Sequence, residues 1–370
     1  MHILFAGGGT AGHINPALAT ADYIKSKHAD AKISYIGTAH KLEATLVPQA
    51  NYDFYTIDVA GFQRRITVKN MIRNVSAAYK AVAASLRARK LLKELKPDLV
   101  VGTGGYVSGP VLREAAKLNI KTAIHEQNAY PGITSKMLAG IVDRVMLAMP
   151  EAEKLLKCKN KPVVTGNPVR SQFLNITKQE AREKLGLDSR PFILSFGGSL
   201  GASPINNAVA GLIADKVRCG KYQFMHAAGK AGYKNFLDSL ESRGVEVDDK
   251  DVRVKEYITN MAECMMAADL IISRAGAITL TEIEAAGKAS ILIPSPYVAE
   301  NHQYHNAMTL KNHNAAEVIE EKNLTEELLV ATVDNLLADG FTAEKMGKNA
   351  KESAILDASE RIYKALMELL

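Results

Sequence analysis

His13 stands directly after Gly7, Gly8, Gly9 and Gly12, four glycines within six residues. An imidazole at such a turn is a candidate proton acceptor, because its reference pKa of ~6.5 lies close to neutrality. Glycines let the backbone turn sharply and let a phosphate or sugar approach without meeting a Cβ. Glu126, in His125-Glu126-Gln127-Asn128, is the rival base. Ser273 to Ile283 is the densest polar stretch, and Glu282 there could hold both hydroxyls of a ribose by accepting two hydrogen bonds. Thr279 and Glu282 equally fit a capping box, and the pattern leaves both readings open. The run from Pro294 to Ala307 holds Asn301, His302, Gln303, His305 and Asn306, suited to sugar hydroxyls or to a solvated loop.

The elements that must position these groups alternate. Ile3 to Ala6 is an uncharged apolar run, read as a buried parallel strand, and Ala17, Leu18, Ala21 and Ile24 recur at helical spacing behind the glycines. A helix N-terminus adds open N–H groups and a positive dipole end. The design returns at Leu99–Val101 with Gly102-Thr103-Gly104-Gly105-Tyr106-Val107-Ser108-Gly109-Pro110, and at Phe192–Phe196 with Gly197-Gly198-Ser199-Leu200-Gly201-Ala202. Strands alternating with helices imply α/β domains with parallel sheets and ligands at strand C-terminal ends. The chain therefore divides into an N-terminal domain, residues 1–165, and a C-terminal domain, residues 166–352. A last helix, about 353–370, could cross back onto the first. Two such domains suggest a cleft with glycine loops on both walls.

Gly7, Gly9 and Gly12 also fit G-x-G-x-x-G, but the second strand, Lys32–Ile36, ends in Gly37-Thr38 without the acid that holds a dinucleotide ribose. A nicotinamide-dependent dehydrogenase is disfavoured on that ground. Cys158, Cys219 and Cys264 are sparse and form no C-x-x-C, which points to reduced thiols. Asp249-Lys250-Asp251 reads as a solvated loop and the histidines make no helical H-x-x-x-H pair, so no metal is expected. No signal peptide and no run near the ~20 apolar residues of a membrane span is visible.

The net charge is +6, yet Gln63 to Lys96 holds ten basic residues and one acid, so the rest of the chain is net negative. The segment reads as helical from about Val68 to Leu95. Met71, Ile72, Val75, Tyr79, Val82 and Leu86 form an apolar face flanked by Arg73, Lys80, Arg87 and Lys90. This suits an anionic membrane surface, or packing of the face into the domain core with the charges outside. A nucleic-acid role would need interleaved aromatics, and Tyr79 is the single one in the segment.

Taken in order, Gly8–His13, Gly104–Pro110, His125–Asn128, Gly166-Asn167-Pro168-Val169-Arg170, Gly197–Ala202 and Arg274-Ala275-Gly276-Ala277 through Glu282 closely resemble the MurG family of peptidoglycan N-acetylglucosaminyltransferases. The likeness covers nearly the whole chain. Ala11, where glycine is common, and His302-Gln303, where some members have two glutamines, depart from it. The resemblance implies a GT-B fold of two Rossmann-like domains. It implies inverting transfer of N-acetylglucosamine from UDP-N-acetylglucosamine to the C4 hydroxyl of lipid I, forming lipid II in peptidoglycan synthesis, at the cytoplasmic face of the plasma membrane. Other GT-B enzymes, such as a lipid glycosyltransferase or a UDP-sugar 2-epimerase, are the alternative. By similarity Glu282 takes the ribose, the backbone of Ile258 the uracil, and Ser199 with its loop amides the diphosphate. Gln303 and the turn Ala277, Ile278, Thr279, Leu280 and Thr281 take the sugar. Arg170, Thr10 and Asn128, with Ala11 and Gly12, approach the donor from across the cleft. Gly104, Gly105, Tyr106 and Ser108 face the acceptor. Amides and a helix dipole replace a metal, and no cofactor or nucleic acid is implied.

Overall fold

The computed structural model describes residues 1–59, 68–248 and 250–370, with the helical backbone alone for 68–79. It separates into two compact units, Met1–Pro168 with Asp357–Leu370, and Val169–Leu356. The division falls after Pro168 and Leu356, not at the expected 165 and 352.

Unit 1 contains the strands β1 (His2–Gly7), β2 (Lys32–Gly37), β3 (Asp53–Thr56), β4 (Leu99–Gly104), β5 (Lys121–Glu126), β6 (Arg144–Leu147) and β7 (Val163–Val164). They pair in parallel in the order β3-β2-β1-β4-β5-β6-β7. The pleat sends alternate residues of β1 to opposite faces. Ile3 and Phe5 pack with Ile14, Ala17 and Ile24 of the helix Ala11–Lys27. Leu4 and Ala6 pack with Val107, Val111 and Leu112 of the helix Gly105–Lys117. Helices cover both faces, which is why the strands read as unbroken apolar runs.

The helix Ala358–Met367 places Ile362, Ala365 and Leu366 in the Ile3/Phe5 cluster. Tyr363 Oη meets His28 Nε2 at 2.8 Å, and Arg144 pairs with Glu368 at 3.0 Å. The element is shorter than 353–370, because Ser353 closes the preceding helix, Phe341–Ser353.

Unit 2 repeats the plan with β8 (Phe192–Phe196), β9 (Gln223–Ala227), β10 (Val252–Lys255), β11 (Leu270–Ser273), β12 (Ala289–Leu292) and β13 (Glu317–Val318). All pair in parallel in the order β10-β9-β8-β11-β12-β13. In each unit the strand order reverses beside the first strand, at β1/β4 and at β8/β11. Such switch points leave a crevice at the strand C-terminal ends.

The helix Val68–Leu95 follows its expected bounds, but its described part buries Ala84, Ala88, Leu91 and Leu92 in unit 1. Val82 and Leu86 are 63% and 66% exposed, so the proposed apolar face does not pack into the core there. Arg87 is exposed, and Lys80 pairs with Asp58 at 2.9 Å. The side chains of Met71, Ile72, Arg73, Val75 and Tyr79, and the whole of Asp249, lie outside the described residues.

Candidate active site

At the unit 1 switch point the two glycine loops touch. Gly105 has φ +76°, and a Cβ there would sit 2.3 Å from the Gly8 carbonyl oxygen. Only glycine allows both the left-handed backbone and that approach. Ser108 fastens the pair: its buried hydroxyl lies 2.7 Å from the Ala6 carbonyl and accepts the Gly104 N–H at 3.1 Å. This corrects the acceptor-side expectation for Ser108, whose hydroxyl is enclosed within the two loops. Tyr106, by contrast, is 64% exposed. Thr10 ends the first loop in extended backbone, and its carbonyl accepts the N–H groups of His13 and Ile14. Thr10 and Ala11 are exposed, and Gly12 and His13 are half-buried.

Glu43 was not legible as part of this loop. Its carboxylate is fully buried and accepts the Gly9 N–H at 2.9 Å and the Thr38 N–H and hydroxyl at 3.0 and 2.7 Å. Burial opposes its charge, but these donors hold its pKa below the ordinary value. It is the acid beyond the second strand, spent on the loop and not on a ribose.

His13 meets Gln127 Oε1 through Nδ1 at 3.1 Å, which brings β5's end to the glycine turn. Glu126 is buried beside it, but its oxygens accept three N–H groups: Asn128 N, Asn128 Nδ2 and Gly132 N, each at 3.0 Å. Glu126 holds the loop that follows β5, and Asn128 is bound into the same loop.

In unit 2 the loop Gly197–Ala202 precedes the helix Ser203–Lys216, whose first turn carries no side-chain cap. Gly201 has φ +77°, and a Cβ there would lie 2.1 Å from the Ala228 carbonyl, so the loop lies flat against the neighbouring strand's end. Ser199 is exposed on it. Ile258 is buried, between β10 and the helix Met261–Ala267.

Gly276 is the N-cap of the helix Ala277–Ala286, three residues before Thr279, the N-cap of the expected capping box. Glu282 is therefore in the second turn, and the capping box with Thr279 does not form. Leu280 is fully buried, and Thr281 donates its hydroxyl to the Ala277 carbonyl at 3.0 Å. The side chains of Ile278 and Thr279 are the half-buried members of that turn. Gln303 accepts the Ser295 N–H through Oε1 at 2.9 Å. Arg170 belongs to unit 2 rather than to the opposite wall, because its Nε donates to Glu282 Oε1 at 2.7 Å. Glu282 is 8% exposed. Burial raises its pKa, and Arg170 works against the rise.

Among the described residues no group of three or more His, Cys, Asp and Glu gathers as metal ligands do.

Residues 3–147 match the glycosyltransferase family 28 N-terminal domain, and residues 192–362 match the C-terminal domain of that family. A relative from Acetivibrio thermocellus is 45% identical, covering 100% of this chain and 98% of its own. The chain belongs to glycosyltransferase family 28. The relative is named UDP-N-acetylglucosamine--N-acetylmuramyl-(pentapeptide) pyrophosphoryl-undecaprenol N-acetylglucosamine transferase. A relative of the same name from Bacillus cytotoxicus is 40% identical over the full length of both. The crystal structure of Acinetobacter baumannii MurG superposes with a TM-score of 0.80 at 28% identity, over 99% of each chain. UDP-GlcNAc 2-epimerase from Neisseria meningitidis shares the fold, with a TM-score of 0.67 and 14% identity over the whole of both chains. The two Rossmann-like units of this family 28 chain are those of the GT-B fold.

If Glu282 receives ribose hydroxyls, as the resemblance implies, its ionised form offers both oxygens as acceptors and its protonated form does not. The raised pKa of Glu282 moves its protonation to higher pH than an ordinary glutamate. Donor affinity should therefore fall as pH drops through that raised value, and Glu282→Gln should flatten this acid limb. Calorimetric titration of UDP-N-acetylglucosamine at several pH values checks it, and an affinity that ignores pH would free Glu282 from the role.

Proposed function

We infer that this chain transfers N-acetylglucosamine from UDP-N-acetylglucosamine to the muramoyl C4 hydroxyl of an undecaprenyl-pyrophosphoryl-N-acetylmuramyl-pentapeptide, forming lipid II. The observation that carries the reading is the 45% identity over the entire chain with a relative named for this transfer.

The residues supply a consistent set of roles. The donor lies on unit 2, its diphosphate at the glycine loop and the uncapped start of the helix Ser203–Lys216, where N–H groups and the dipole face negative charge. These groups offset the charge of the departing UDP without a metal held by the protein. Glu282 receives ribose hydroxyls, Ile258 offers its backbone to the uracil, and Gln303 with the Ala277–Thr281 turn receives the sugar. Arg170 steadies Glu282 from the same unit. His13 takes the acceptor hydroxyl proton as that oxygen bonds to the anomeric carbon. The bond to the diphosphate oxygen breaks in the same step, and UDP leaves with the electron pair. One displacement turns the α-linkage into β. Glu126 is the second candidate, since three N–H groups already occupy its oxygens.

Incubation with UDP-N-acetylglucosamine and a short-chain lipid I analogue, read by mass, should show acceptor heavier by one N-acetylhexosamine. A changed free sugar formed without acceptor would make the chain an epimerase.

The polyprenyl acceptor stays in the bilayer, so the enzyme works at its cytoplasmic face. No helix among the described residues is long and apolar enough to cross a membrane. Val82 and Leu86, exposed beside Arg87 and Lys90, suit peripheral contact, with ~1 kcal/mol per basic residue near an anionic surface. Co-sedimentation with anionic vesicles should weaken at high salt and on charge reversal of Arg73, Lys80 and Arg87, with turnover of a soluble acceptor retained. Equal binding to neutral vesicles would remove the electrostatic contribution.

A further inference from the structure

Gly166, His125, Gln127 and His13 form one line of hydrogen bonds, and its polarity is fixed from one end. A backbone carbonyl only accepts, so His125 Nε2, 2.9 Å from the Gly166 oxygen, carries a proton. The His125 ring is fully enclosed, and burial holds its pKa below the ordinary value, so it is neutral. A neutral imidazole has one N–H, which leaves His125 Nδ1 as an acceptor. Gln127 Nε2 lies 3.1 Å from that Nδ1 and 2.9 Å from the His125 carbonyl oxygen. Both neighbours accept, so this atom is the amide NH2, and the amide oxygen is the one that meets His13. That oxygen accepts from His13 Nδ1 at 3.1 Å. The His13 proton therefore resides on Nδ1, and the lone pair of the neutral ring resides on Nε2.

We propose that Gln127, oriented by His125, is a positioning residue that fixes His13 in the Nδ1–H tautomer and keeps Nε2 open as the proton acceptor. The proposal rests on the reading of His13 as the base. Three further observations support it. Gln127 is buried, so water does not compete for its oxygen. Gly104 lacks the Cβ that would lie 2.6 Å from His13 Nδ1, so the ring rests against the second glycine loop. Asn167 Nδ2 donates to the Gln127 carbonyl at 3.3 Å, which ties the relay's backbone to the turn that supplies Gly166. The same contacts serve the imidazolium formed by proton transfer, because Gln127 Oε1 accepts from Nδ1 in either state. An outer partner that sets the ring's tautomer in this way matters as much as the ring's position.

The test is nitrogen NMR of the full chain labelled at histidine, with His13 assigned by its loss in His13→Gln. The expected wild-type pattern is a protonated Nδ1 and an unprotonated Nε2. Gln127→Met should shift the signal toward the Nε2–H form. It should also lower kcat at least ~10-fold, short of the ~10²–10⁴ expected for loss of a general base, with donor KM unchanged. Gln127→Glu, with its proton on the oxygen that faces His125 and an acceptor kept toward His13, should restore the Nδ1–H pattern. An Nε2–H ring in the wild type, or an unshifted ring in Gln127→Met, would overturn the positioning role. A shifted ring with unchanged kcat would overturn His13 as the base instead. The wild-type spectrum decides even if the Gln127 variants fail to fold.

Discussion

Replacing His13 with alanine should lower kcat by ~10²–10⁴, the usual worth of a positioned general base. Donor KM should stay near its wild-type value, because the groups assigned to ribose, uracil, diphosphate and donor sugar in the proposed mechanism belong to unit 2 and His13 belongs to unit 1. The fold should tolerate the change. His13 is half-buried, outside the apolar clusters, and among the described residues its side-chain hydrogen-bond partner is Gln127. Single-turnover rates with saturating donor, and circular dichroism as a control, separate chemistry from folding. An unchanged kcat would return the role to Glu126, against the three N–H groups that now occupy its carboxylate.

Glu282→Ala should raise donor KM roughly 10- to 100-fold, since a hydrogen bond to a charged group contributes ~1.5–3 kcal/mol. Far-ultraviolet circular dichroism should not change. The variant removes a carboxylate that burial disfavours and leaves Arg170 with its side chain 45% exposed, so water can solvate the guanidinium. The expected signature is weak donor binding on an intact fold. A lowered melting temperature with unchanged KM would assign Glu282 to tethering Arg170 alone.

The glycine loops were legible because their cause is local. A glycine run between an apolar strand and a helical pattern has few other uses, and the positive φ values at Gly9, Gly104, Gly105, Gly198 and Gly201 are what such runs permit. Partners were not legible, because they come from far along the chain. Arg170 and Glu282 are 112 residues apart, and His13 and Gln127 are 114 apart. The packing face of the basic helix was not legible for a different reason. Its large residues trace a face that stays exposed at Val82 and Leu86, and the unit packs instead on Ala84, Ala88, Leu91 and Leu92, two of which carry little hydropathy signal. The capping box failed by a shift of three residues, since Gly276 caps the helix where a Thr–Glu pattern suggested Thr279.

The return of the last helix to unit 1 sets the order in which the protein can be completed during synthesis. A ribosome that has made residues 1–168 has supplied all seven strands of the first sheet. It has not supplied Ile362, Ala365 and Leu366, which close the Ile3/Phe5 side. Those residues emerge only after the whole of unit 2, roughly 10–40 s later at ~5–20 residues per second. During that interval the nascent first unit shows an uncovered apolar strip. Its last closing step waits for the helix Ala358–Met367, so a message truncated before codon 358 yields a finished unit 2 joined to an unfinished unit 1.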